Sequence, residues 1–68
     1  MNEDAFNASL RKFLKTLGVT AQREIEKAVR AAIVDGRIKD NEALPAKAIV
    51  SIPGVGLTWQ VDGQIELQ

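Results

Sequence analysis

Sixty-eight residues with nine basic and nine acidic side chains make one domain of zero net charge, which excludes an attraction to nucleic acid or anionic membrane built into the overall charge. The absence of Cys and His excludes disulfides, thiol chemistry and the commonest metal ligands; a chain this short buries only about 60% of its unfolded surface, and self-association is its remaining remedy. No apolar run approaches the ~20 residues of a membrane span, and the acidic, polar N-terminus lacks the layout of a signal peptide, so a cytoplasmic protein is expected.

Charge is distributed unevenly along the chain. Residues 1–39 carry eight basic and five acidic groups (+3), and residues 40–68 carry one basic and four acidic groups (−3). Such asymmetry can orient subunits against each other, but solvated helix faces beside an acidic hairpin are the preferred explanation.

In chain order, Phe6, Leu10, Phe13, Leu14 and Leu17 fall at steps of four, three, one and three, which predicts a helix over residues 3–17. Asn2 or Asp4 suits its N-cap, and Glu3 and Asp4 suit the positive end of its dipole. Gly18 is expected in the left-handed conformation that stops this helix, and Thr20 is expected to cap a second one over residues 21–35. On that reading a β-branched residue at Gly18 destabilises the fold by about 1 kcal/mol or more. The second helix carries Ile25, Ala28, Val29, Ala32 and Ile33, and Gly36 marks its end. Its alanines form a narrow ridge that lets another helix approach closely, either the first helix or one from a second copy.

Lys39 to Pro45 reads as a polar connection. Period-two alternation then predicts strands over residues 46–52 and 56–61, joined by Pro53-Gly54-Val55-Gly56. That four-residue loop places Ile52 opposite Leu57 and Val50 opposite Trp59. A third strand over residues 64–67 is expected to follow a bulged turn at Val61-Asp62-Gly63 with Gly63 left-handed, pairing Trp59 with Ile65 and Leu57 with Leu67. The fold class expected for the single domain of residues 1–68 is α+β, a two-helix antiparallel hairpin followed by a two- to three-stranded antiparallel β-meander.

Ile49 belongs to the face opposite the main apolar set, and Val34 and Val55 lie outside the main stripes. This surplus points to a partner, with a homodimer as the expectation. Trp59 is read first as core and second as part of a partner surface. Ile49, Val55 and Trp59 are therefore the candidate interaction residues.

Leu14, Gly18, Val19-Thr20 and Ile25 resemble the DNA-binding helix-turn-helix pattern, but the resemblance calls for a buried aliphatic six residues after the turn glycine, where Glu24 stands. A nucleic-acid surface on this alternative comprises Arg11, Lys12, Lys15, Arg23, Lys27 and Arg30, with Glu24 and Glu26 interleaved. Asp35-Gly36-Arg37-Ile38 to Glu42 matches the back half of an EF-hand loop, yet its first and third ligand positions fall on Ala31 and Ile33. No metal and no cofactor are expected. With no His, Cys or Tyr, acid–base work falls to carboxylates and lysines at helix ends, turns and solvated faces, so no catalytic residue is assigned and no enzyme is expected.

The run Met1-Asn2-Glu3-Asp4-Ala5-Phe6-Asn7, then Leu10-Arg11-Lys12-Phe13-Leu14-Lys15, Leu17-Gly18-Val19-Thr20-Ala21-Gln22-Arg23-Glu24-Ile25-Glu26-Lys27-Ala28-Val29-Arg30 and the closing Val61-Asp62-Gly63-Gln64-Ile65-Glu66-Leu67, is similar to a family of very small proteobacterial proteins forming a domain of unknown function. The resemblance implies a bacterial cytoplasmic protein and supplies no activity, cofactor or site residue. The expected role is a small binding or regulatory module working through contacts with an unknown protein partner, with nucleic-acid binding as the alternative.

Overall fold

The computed structural model describes every residue from Met1 to Gln68. They form two compact units, Met1–Arg37 and Ile38–Gln68.

The first unit is a single α-helix, α1 (Glu3–Val34, 32 residues), about 48 Å long at 1.5 Å per residue. Asn2 caps it: its backbone is extended, and its side-chain oxygen accepts the Ala5 N–H at 3.0 Å. Glu3 and Asp4 occupy the first turn, where the unpaired N–H groups favour negative charge. At the other end Gly36 adopts φ 75°. Its N–H donates to the Ile33 carbonyl at 3.1 Å, and the Arg37 N–H donates to the Ala32 carbonyl at 2.9 Å. These two bonds form a Schellman motif, so Gly36 is the helix stop that its position suggests.

Gly18 is not a stop. The expected two-helix hairpin over residues 3–17 and 21–35 is replaced by one helix running unbroken through Leu17, Gly18, Val19 and Thr20. Gly18 has no positive φ. The Thr20 hydroxyl, instead of capping a second helix, donates to the Thr16 carbonyl at 2.7 Å, as a mid-helix threonine does. The energetic reason is simple. A glycine in a helix interior costs about 1 kcal/mol relative to alanine, whereas two new helix ends leave up to about eight backbone groups needing other partners. No proline stands nearby to force that break.

The second unit is a two-stranded antiparallel ribbon of β1 (Ala43–Ile52) and β2 (Leu57–Glu66), ten residues each. A 3₁₀ turn, Pro53–Val55, joins them, and Gly56 closes it at φ 65° with its N–H donating to the Pro53 carbonyl at 3.1 Å. Ile52 pairs with Leu57 and Val50 with Trp59, the register that a four-residue loop dictates.

The rest of the ribbon departs from the expected meander. No third strand forms; Asp62 and Gly63 lie within β2, opposite Lys47 and Ala46. Ile65 pairs with Leu44 and not with Trp59, and Gly63 carries no positive φ. The expected polar connection explains this difference, because its last three residues, Ala43 to Pro45, are already strand. With β1 that long, β2 continues along it for its full length, and no second reversal is needed to place Ile65 on the apolar face. Pro45 fits because the Leu67 N–H donates to the Glu42 carbonyl at 3.2 Å. Ladder bonds alternate from there, so position 45 is one whose N–H would point outward. The fold is α+β, with one helix where two were expected.

Candidate interaction surface

The pairing sorts the ribbon into two chemically distinct faces. Leu44, Ala46, Ala48, Val50 and Ile52 lie opposite Ile65, Gly63, Val61, Trp59 and Leu57, and these ten positions share one face, to which all but Gly63 contribute a side chain. The other side carries the pairs Ala43–Glu66, Pro45–Gln64, Lys47–Asp62, Ile49–Gln60 and Ser51–Thr58. On that polar side the Gln60 amide donates to both Asp62 carboxylate oxygens at 3.0 Å. Along the apolar face Leu44, Ala46, Val50 and Ile65 are half-buried, and Ile52, Leu57, Trp59 and Val61 are exposed.

The three candidate interaction residues do not form one patch. Trp59, 58% exposed, belongs to the apolar face; Ile49, 61% exposed, points to the polar face; Val55, 76% exposed, sits in the 3₁₀ turn. What the structure adds is the apolar face as a whole, to which Trp59 contributes the largest side chain.

The unbroken α1 also joins two stripes into one. Leu10, Leu14, Leu17, Ala21, Ile25, Ala28 and Ala32 follow one another at steps of four, three, four, four, three and four. This is an eleven-residue repeat of 3.67 residues per turn, close to the helix's own 3.6, so the stripe runs nearly straight along the helix. The repeat was present in the residues; dividing the helix at Gly18 hid it. No side chain in either unit is buried, and Phe13 and Leu14 are about half exposed at 51% and 50%.

The six cations of the nucleic-acid alternative are redistributed by the same continuity. Lys12, Arg23, Lys27 and Arg30 each stand two residues after a member of the apolar stripe, a rotation of about 200° that puts them on the opposite side of α1. Arg11 and Lys15 lie on one flank. Lys27 pairs with Glu24 at 3.5 Å, and Glu26 accepts a hydrogen bond from the Gln22 amide at 3.2 Å. A helix-turn-helix is excluded, because residues 17–20 contain no turn. Over the segment that resembles half an EF-hand, Asp35 pairs with Arg37 at 3.3 Å and Gly36 serves the helix end. No three carboxylates gather in a group able to hold a metal ion.

No curated protein and no solved structure matches this chain. A family model described as a family of unknown function (DUF6494) matches residues 1–68, and the chain belongs to that family.

Proposed function

We propose that the chain is a small binding module that works through protein–protein contacts, the first of them with a second copy of itself. The observation that carries this reading is that both units are amphipathic while no side chain in either is buried. Apolar surface left in water drives association in proportion to its area. A bacterial cytoplasmic setting belongs to the same proposal and is supported by the resemblance to small proteobacterial proteins; no helix of the chain is long and apolar enough to cross a membrane. The test is the solution mass by size exclusion with light scattering at micromolar concentration. Twice the chain mass of 7.4 kDa is expected. A mass equal to one chain across that range overturns the self-association.

A second reading is favoured by the row Lys12, Arg23, Lys27 and Arg30, which spans about 27 Å of one side of α1 at 1.5 Å per residue. Such a row suits the phosphates of a nucleic acid read by charge alone. Fluorescence anisotropy with labelled DNA and RNA tests it. Affinity that falls steeply as salt rises supports the row as a phosphate surface, and no binding, or binding indifferent to salt, removes this reading.

A further inference from the structure

We infer that two copies pair through α1 in antiparallel orientation, with Ala21 of each copy at the two-fold axis. This rests on the self-association proposed above and specifies its geometry. The stripe at residues 10, 14, 17, 21, 25, 28 and 32 is a palindrome in position: its members lie 11, 7 and 4 residues to either side of Ala21. An antiparallel partner centred on Ala21 therefore meets stripe with stripe at every level.

Under the same operation the side chains are complementary in size at the outer levels. Leu10 comes level with Ala32 of the second copy, Leu14 with Ala28 and Leu17 with Ile25, and the two Ala21 residues face each other. Large meets small at both outer levels of each end, while at the centre the small Ala21 pair is flanked by Leu17 and Ile25, so bulk is spread evenly along the overlap and the two axes stay at one spacing. A parallel, in-register pair would set Leu10, Leu14 and Leu17 against themselves at one end and Ala28 and Ala32 against themselves at the other. Its axes would lie farther apart at the leucine end than at the alanine end, so helices at one spacing would leave a gap where the alanines meet. Phe6 falls level with Gly36, where the second copy's helix has already ended, so the matched stripe stops at residues 10 and 32. Antiparallel pairing also sets each helix's positive end beside the other's negative end.

The chain contains no cysteine, so a single introduced thiol carries a unique label. The test uses full-length Ser9→Cys and Gln22→Cys, each spin-labelled, with pulsed dipolar spectroscopy beside light scattering. The antiparallel pair predicts an axial separation of about 36 Å between labels at position 9 and about 3 Å between labels at position 22. The second pair lies within about one helix-pair width, while the first is far longer. A parallel pair brings both label pairs within about 20 Å and overturns the orientation. A dimer by mass whose distances fit neither pattern overturns pairing through α1 and leaves self-association standing. A monomer by mass overturns both.

Exchange of a large and a small side chain across the axis supplies the second arm. Leu14→Ala and Ala28→Leu are each expected to weaken the dimer at least about tenfold, and the double variant to recover most of that loss, because residues 14 and 28 meet only between copies. Double-variant losses that simply add would refute the pairing.

Discussion

The Thr20 hydroxyl donates to the Thr16 carbonyl at 2.7 Å, a bond between residues four apart that places both on one uninterrupted turn of helix. Gly18 lies between them, and a Cβ built on it meets nothing within 4 Å. Gly18→Ala is therefore expected to stabilise the protein by about 0.5–1 kcal/mol, since alanine loses less backbone entropy on becoming helical. Thermal melting followed by circular dichroism measures this. A lower midpoint for Gly18→Ala would mean that the helix breaks at this position.

Two glycines of the ribbon separate the observed register from a three-stranded alternative. Gly56 has φ 65°, so Gly56→Ala is expected to cost about 1 kcal/mol or more. Gly63 lies in β2 with no positive φ and open space at its Cβ, so Gly63→Ala is expected to be neutral or slightly stabilising. Denaturant titration of the two variants reads the difference; equal losses would relocate a turn to Gly63.

Loss of the helix cap is the third expectation. Asn2→Ala removes the acceptor for the Ala5 N–H and should lower stability by about 1 kcal/mol. Asn2→Asp keeps that acceptor and should retain most of the stability. Urea midpoints of the three proteins check this, and identical midpoints for Asn2→Ala and the parent would show that the first turn is frayed.

If the apolar surfaces are covered by association, thermal stability must depend on concentration through mass action. The melting midpoint of the parent is expected to rise by several degrees across a hundredfold increase in protein concentration. A midpoint unchanged over that range would place the cover within a single chain.

How much of this was legible in the residues differs from element to element. Asn2, Glu3 and Asp4 at the start of α1 and Gly36 at its end follow from capping chemistry, and the Pro53–Gly56 loop set the pairing of Ile52 with Leu57 and Val50 with Trp59. One glycine is not sufficient to end a helix. Gly36 is followed by Arg37, with no apolar stripe left to continue in the helix, whereas Gly18 is followed by Ala21, Ile25 and Ala28 in phase with Leu14 and Leu17. The Asp62-Gly63 pair shows the same limit in a strand. Its dipeptide favours a tight turn, but Ala43 to Pro45 lengthen β1 enough for β2 to continue straight, and that non-local pairing outweighs the local preference. The apolar face around Val50, Ile52, Leu57 and Trp59 follows from the Pro53–Gly56 loop, and its extension to Leu44 and Ile65 became visible only once those two were known to pair.

A ribbon of two strands has no inner strand, so both rims are open to further pairing. The rims are not equivalent. Along β1 the outward positions are 43, 45, 47, 49 and 51, and Pro45 deletes one donor from that row; along β2 the outward positions 58, 60, 62, 64 and 66 hold no proline. A strand adding to β1 would forfeit a bond at its second outward step, while one adding to β2 would find the row complete. Sheet growth is thereby given a direction. Restoring the missing donor with Pro45→Ala is expected to shorten the lag of aggregation followed by light scattering, because it opens the one rim that the chain has blunted.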